Sequence, residues 1–272
     1  MKIYPNAKIN IGLHVVEKRA DGYHNIETVF YPIPIFDVLE INSSEKSDDY
    51  ALSVLGQTIE GDAENNLIIK ALRQMKEDFE IPCIEILLQK NIPTGAGLGG
   101  GSADAAFMLR GLNKLCALQL SENQLENYAA RLGADCAVFI RNKAVFAKGT
   151  GNIFSPVNLS LKGFCLVVVK PEIHVSTAEA YAGITPRKPE TSLLEAIQKP
   201  IEKWENIIIN DFEESVFKKF PEIAKIKQQL YAFGAVYAAM SGSGSAVFGV
   251  FENEPKNLKE MFGGCFFAKM KL

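Results

Sequence analysis

The sequence predicts an α+β fold built from two successive units. Three observations carry that expectation. Segments alternating with a period near two are interspersed with segments of helical spacing in both halves of the chain. A glycine cluster, Gly149-Thr150-Gly151-Asn152, sits past the midpoint and marks a boundary, giving units of 1–150 and 151–272. The 272 residues are 47% hydrophobic, enough for one large core or two moderate ones.

The elements follow in order. Ile9, Ile11, Leu13 and Val15 alternate with Asn10, Gly12, His14 and Val16, which predicts a strand, and Ala20-Asp21-Gly22 predicts the turn after it. Val38–Ile41 and Ala51–Leu55 read as short strands. Between Asn66 and Phe79, Leu67, Ile68, Ala71, Leu72 and Met75 have helical spacing. Ile84, Ile86 and Leu88 alternate again, so a strand runs into the glycine-rich stretch that follows. Ser102–Leu115 reads as a helix with Ala106, Leu109 and Leu112 on one face. Ser121 and Gln124 form a capping box for a helix to Leu132, and Gly133 ends it. Ala144–Ala147 is a strand. In the second unit, Phe164–Val169 is a buried strand and Ser176–Ala182 a short helix. Pro186–Pro189 is a loop, and helices follow near 192–198, 211–217 and 221–233. Strands at Val236–Met240 and Ala246–Phe251 flank Ser241-Gly242-Ser243-Gly244-Ser245.

Composition removes several function classes. With 29 basic and 32 acidic residues the net charge is -3, so no basic field invites a nucleic acid. Cys83, Cys116, Cys136, Cys165 and Cys265 are scattered and contain no C-x-x-C pair, so neither a zinc site nor a disulfide framework is indicated. Reduced thiols suit a cytoplasmic protein. The opening M-K-I-Y-P-N-A-K-I-N lacks the apolar stretch of a secretory signal, and runs such as Phe164–Val169 are too short to cross a bilayer. No membrane partner is expected.

The stretch P-T-G-A-G-L-G-G-G-S-A-D-A-A, Pro93 to Ala106, carries the chemistry. Five glycines fall between Gly95 and Gly101, after a strand and before a helix. Such a run lets a ligand approach the backbone N–H groups, and the helix adds its orphan N–H groups and the positive end of its dipole. Together these form an anion site, most often for phosphate. A flexible linker would carry more serine and charge. Gly95-x-Gly97-x-x-Gly100 also matches the dinucleotide fingerprint, a weak match in a run so rich in glycine, which leaves a nicotinamide-dependent oxidoreductase as one alternative. No lysine follows the glycines, so a Walker loop is absent, and there is no H-R-D or D-F-G of a protein kinase.

With Pro93 in front and G-G-G-S-A-x-A-A behind, the stretch resembles the signature of the GHMP kinase superfamily. The resemblance continues through P-N-A-K-I-N-I-G-L-H near the N-terminus, R-A-D-G-Y-H at 19–24, G-A-D at 133–135 and the late S-G-S-G-S. It implies a two-domain fold with the active-site cleft between the domains, and an ATP-dependent kinase acting on a small-molecule hydroxyl. It points most closely to members of the non-mevalonate isoprenoid route, whose substrate is a cytidine diphosphate-linked methylerythritol phosphorylated at its 2-position. Other members act on mevalonate, homoserine or sugars, and a sensor that binds nucleotide without catalysis is a further alternative.

Phosphoryl transfer needs held phosphates, an aligned hydroxyl relieved of its proton, and compensation of the transferring charge. The resemblance assigns the first to Pro93, Thr94, Gly95, Ala96, Gly97, Leu98, Gly99, Gly100, Gly101, Ser102 and Ala103, with Asn66 and Lys90 near the adenine. Lys8 stands in a strand of apolar alternation, where an inward charge needs a partner and an edge position would leave it in solvent. Asp135 by pattern is a turn or N-cap residue. The resemblance makes Asp135 the base and Lys8 its charge partner, the pairing keeping both ionised. Cys136-Ala137 departs from the family, which usually has proline two residues after this aspartate. Mg2+ is expected with ATP, with Ser102 as a possible ligand and Asp104 nearby. On the acceptor side the resemblance places Tyr23 and Tyr181 on either face of the cytosine, His24 at its edge, Thr177 at the diphosphate and Asn10 at the polyol. Ser176 and Ala178 replace prolines of the family. His14 and His174 read as core or surface residues. A monomer or homodimer is expected.

Overall fold

Residues 1–45, 49–57 and 62–272 are described by the computed structural model, and they fall into two units that interleave along the chain. One comprises Met1–Ala7, Ile35–Thr94 and Gly99–Lys143, the other Lys8–Pro34, Gly95–Leu98 and Ala144–Leu272. In chain order the strands are β1 (Lys2–Ile3), β2 (Asn6–Lys18), β3 (His24–Phe36), β4 (Val38–Ser44), β5 (Tyr50–Gly56), β6 (Cys83–Lys90), β7 (Val145–Lys148), β8 (Ile153–Pro156), β9 (Cys165–Lys170), β10 (Tyr237–Met240), β11 (Val247–Phe251) and β12 (Phe266–Lys271). The helices are α1 (Leu67–Lys76), α2 (Gly100–Leu115), α3 (Glu122–Leu132), α4 (Val138–Arg141), α5 (Thr177–Ala182), α6 (Leu193–Ala196), α7 (Phe212–Lys219) and α8 (Pro221–Ala232).

The first unit carries a sheet in the order β1-β4-β6-β5, with β5 parallel to β6 and the other pairs antiparallel. Period-two burial puts Leu39 and Ile41 of β4 and Ile84, Ile86 and Leu88 of β6 on the covered face. Helix α2 lies close on that face, because a Cβ on Gly111 would come within 2.6 Å of Ile41 Cδ1. The Ser121–Gln124 capping box opens α3 as the pattern predicts. Gly133 closes it in an extended conformation, φ 170°, so no left-handed residue is used there.

The second unit holds two four-stranded sheets, β2-β3-β7-β8 and β10-β11-β9-β12. Leu13 and Val15 of β2 join one core with Val167 and Val169 of β9, Val247 and Phe251 of β11, Phe212 of α7 and Ile226 of α8. Pro221 opens α8 at its first turn, where its missing N–H costs nothing. Strand β3 is not foreseen by pattern, and Pro32 and Pro34 explain why. Its ladder with β7 spans Thr28–Phe30, and both prolines lie beyond that ladder, where no donor is required. Strands β8 and β12 also escape the pattern.

Candidate active site

The glycine-rich stretch folds as a loop from β6 into α2. Gly95, Gly97 and Gly99 adopt φ of 58°, 73° and 72°, a conformation only glycine takes readily. Gly99 is the N-cap of α2 and offers no side chain to the first turn. Among the described residues, no backbone amide from Gly97 to Ser102 donates a hydrogen bond; the first amide with a partner is that of Ala103, 2.8 Å from the Gly99 carbonyl. A row of open donors at the start of a 16-residue helix has the chemistry to receive an anion, phosphate among them. Ala96 and Leu98 point the other way and are buried, which fixes the loop to the fold.

Lys8 is buried in β2. Its Nζ donates to Asn10 Oδ1 at 2.7 Å and to the Gly97 carbonyl at 3.0 Å, and lies 5.1 Å from the Phe30 ring centre. The Gly97 carbonyl also accepts from Ser241 Oγ at 2.8 Å, and that hydroxyl accepts from the Asn10 amide at 3.2 Å. A Cβ on Gly97 would fall 1.9 Å from the Ser241 carbonyl oxygen. The serine-glycine turn between β10 and β11 is therefore the hairpin expected and, in addition, a support for the loop. Asn10 Nδ2 donates to Thr28 Oγ1 at 3.0 Å, so the Asn10 side chain is braced on both sides.

Asp135 is half-buried in the turn that joins α3 to α4. Ala137, at the place of the family proline, has φ -64°, the value proline itself fixes. The departure in sequence leaves the local backbone as proline would hold it. Neighbouring Cys136 is fully buried, and burial pushes its thiol up to about 11, so it is an inert packing group.

Lys90 stands differently from the expectation of an adenine neighbour, since its side chain points inward. Its Nζ is bound by Asp37 and, at 2.8 Å, by Asp104 Oδ2, and all three residues are at most 2% exposed. Asp37 Oδ1 also accepts from the amides of Asn91 and Ile92, which lead into the loop. Burial alone would depress the Lys90 ammonium; the two carboxylates outweigh it and raise it above the ordinary lysine value. Burial pushes the Asp104 carboxyl up to about 7, against the pull of Lys90. Asp104 is thus an interior partner of Lys90. Asn66 is the N-cap of α1, accepting from the Ile68 amide at 3.0 Å.

On the acceptor side, His24 stacks on Tyr181 with ring centres 4.6 Å apart and planes 20° from parallel, and Phe212 meets Tyr181 edge-on at 4.8 Å. Tyr23 is 67% exposed. The preformed aromatic surface is His24–Tyr181, and Tyr23 stands outside it. Thr177 is the exposed first residue of α5. Ser176 caps that helix in a capping box with Glu179, which gives the family proline position a structural role of its own here. His14 is buried with Nδ1 3.4 Å from Asp211 Oδ1. Sequence reasoning missed Asp37, Thr28 and the support given by Ser241.

No helix among the described residues is long and apolar enough to cross a membrane. No cluster of three metal-binding side chains occurs among them either. Mg2+ carried by ATP keeps phosphate and water oxygens as ligands and asks one or two oxygens of the protein, which the half-buried Ser102 hydroxyl fits.

A strand–glycine loop–helix with open amides and a buried lysine on its carbonyl suits a protein that handles nucleotide phosphates, and comparison with known proteins makes the chain an ATP-dependent small-molecule kinase. The family models for the GHMP kinase N-terminal domain and the GHMP kinase C-terminal domain match residues 66–143 and 192–268, and the chain belongs to the GHMP kinase family. It is 54% identical over 273 residues to a 4-diphosphocytidyl-2-C-methyl-D-erythritol kinase of Bacteroides fragilis, with all of both chains covered. It is 57% identical over 255 residues to the kinase of that name from Bacteroides thetaiotaomicron, covering 93% of each chain. A crystal structure of a 4-(cytidine 5'-diphospho)-2C-methyl-D-erythritol kinase superposes with a TM-score of 0.80 at 30% identity, over 100% of both chains. A mevalonate kinase of Methanococcus jannaschii shares the fold at a TM-score of 0.73 and 16% identity, covering 99% of this chain and 97% of its own.

Proposed function

We propose that this kinase transfers the γ-phosphoryl group of ATP to the 2-hydroxyl of 4-diphosphocytidyl-2-C-methyl-D-erythritol, a step of non-mevalonate isoprenoid precursor synthesis. The open amides from Gly97 to Ser102 carry the kinase part of this reading. They hold the phosphates through the backbone, with Pro93 to Ala103 forming the cradle and Asn66 and the backbone of Lys90 beside the adenine. Asp135 accepts the proton of the attacking hydroxyl. Lys8 is its charge partner and offsets charge on the transferring group. Ser102 is the residue whose hydroxyl would help to hold Mg2+ brought in with ATP, an ion that would add neutralisation of the phosphates. The His24–Tyr181 ring surface supports the cytidylyl part, because a planar base stacks on such a face, with Tyr23 closing over it. Thr177 serves the diphosphate and Asn10 the polyol. The ATP-binding half is 1–150 and its companion 151–272, working in the cytoplasm as a monomer or homodimer.

The test is ATP consumption with the cytidylyl alcohol against mevalonate, homoserine and a sugar panel. Turnover confined to the cytidylyl alcohol is the expected result. Turnover with another alcohol and none with this one would overturn the assignment.

A further inference from the structure

We infer that His174 is a ligand of the ATP phosphate chain, donating a ring N–H to a phosphate oxygen beside Gly95. The inference rests on the reading that the glycine loop holds those phosphates. Gly95 is exposed, with φ 58°, and a Cβ there would lie 2.5 Å from Nδ1 and 2.7 Å from Cε1 of His174. Real Cβ atoms do not approach so closely, so the imidazole is laid on the loop backbone in a way only glycine permits. His174 is itself exposed, which leaves the rest of its ring open to a ligand.

The fold fixes the backbone on both sides of that ring. Val175 is 3% exposed and belongs to the core that contains Val169 and Met240. The Ile173 carbonyl accepts from Ser245 Oγ. The next residue in the same turn, Ala246, donates its amide to the Ala96 carbonyl at 3.1 Å. One hairpin turn therefore grips both the segment that carries His174 and the loop segment beneath it. A backbone so held presents the ring at the loop with little further ordering of the chain when it meets a ligand.

The chemistry suits an anionic oxygen. A neutral imidazole carries one N–H donor in either tautomer and a protonated one carries two, so a donor is present in every state. Hydrogen bonds to charged phosphate oxygens are short and strong. The loop's own donors are its backbone amides and the Ser102 and Thr94 hydroxyls, and Lys8 and Ser241 reach it at Gly97. His174 thus adds a side-chain donor from a distant part of the chain to a loop that has no lysine.

The test separates donor from ring. His174→Phe keeps the packing and removes the donors, whereas His174→Gln keeps a donor and removes the ring. Binding of ATP, ADP and AMP is measured by calorimetric titration, with Gly101→Ala as a loop control and kinetics for both substrates. The expected result is that His174→Phe weakens ATP and ADP about tenfold, about 1.4 kcal/mol, with AMP and the KM for the alcohol unchanged, and that His174→Gln restores ATP affinity. If Gly101→Ala weakens ATP and His174→Phe does not, the loop reading stands and the role of His174 falls. If neither variant weakens ATP, the loop reading fails and takes this inference with it. Equal loss for AMP and ATP, or an effect confined to the alcohol, assigns the ring to another ligand and overturns the inference. Rescue by Phe and not by Gln reduces it to packing.

Discussion

Gly101→Ala separates the fold's use of the glycine loop from the ligand's use of it. Gly101 is the second residue of α2, is exposed, and has no left-handed φ. A Cβ there would meet only Leu67 Cδ1, at 3.8 Å, an ordinary contact. Alanine therefore fits the protein. Replacing glycine by alanine within a helix stabilises by up to about 1 kcal/mol, and near the helix end the gain is smaller. For a chain of this size that raises Tm by about 1–4 °C. The added methyl also stands among the amides proposed to receive the phosphates, and a lost close approach of one phosphate oxygen would cost about 1.4 kcal/mol, a tenfold rise in KM for ATP. Gly97 provides the contrast. Its φ of 73° and a Cβ position 1.9 Å from the Ser241 carbonyl make alanine destabilising by about 3 kcal/mol or more, the sum of left-handed strain and overpacking. Thermal unfolding and steady-state kinetics on both variants read these signs directly. A Gly101→Ala enzyme with unchanged KM for ATP would refute the assignment of those amides to phosphate.

Further outcomes follow from other residues. Asp135→Asn is expected to lose turnover by about three orders of magnitude or more while calorimetric ATP affinity stays near wild type; an active Asn variant removes Asp135 as base. Tyr181→Ala takes away the face on which His24 stacks, and the KM for the cytidylyl alcohol should rise about tenfold for a lost aromatic contact of about 1–1.5 kcal/mol, with the KM for ATP unmoved. Lys90→Met leaves Asp37 and Asp104 buried without their cation, and urea unfolding should show a loss of about 3–5 kcal/mol. Asp104 titrates near 7 when folded against an ordinary 3.8, so between those values the folded chain holds a proton that the unfolded chain has released. Stability contributed by this group therefore falls as pH rises from about 4 to about 7 and is flat below that window; Asp104→Asn should remove that part of the slope in denaturation curves taken across the window.

How much of this was legible depended on whether the signal was local. The β6–loop–α2 path could be read from alternation, five glycines and an amphipathic run, all contiguous in the chain. The inward period of β6 extends past Leu88. Ile84, Ile86 and Leu88 set a phase in which Lys90 falls on the covered face, so a buried ammonium in need of carboxylates was implied. Which carboxylates could not be read, because Asp37 lies 53 residues away. Strand β3 was hidden by Pro32 and Pro34, which weigh against a strand unless it is known that they lie past the β7 ladder. The stack of His24 on Tyr181 and the seat of His174 on Gly95 depend on pairs far apart in sequence. No period or cap encodes such pairs, and only the folded chain brings them together.

The loop's missing lysine takes a sharper form once Lys90 is placed. A Cβ on Gly100 would lie 3.2 Å from Lys90 Nζ, so an ammonium sits directly under the start of α2. It is nonetheless a poor source of positive field for a phosphate, because Asp37 and Asp104 enclose it. With both carboxylates ionised the group is formally negative, and with Asp104 protonated it is neutral. Its role is mechanical: Asp37 fixes the amides of Asn91 and Ile92 at the loop entrance, and Asp104 ties Lys90 to α2. Lys8 bonds the side-chain oxygen of Asn10 and the Gly97 carbonyl of the loop itself. A cation bonded to the loop's own backbone can stabilise charge on a ligand lying along that backbone. Of the two lysines buried among the described residues, one shapes the loop and the other is the one whose surroundings suit chemistry, so removing charge from Lys8 should cost turnover and removing it from Lys90 should cost the fold.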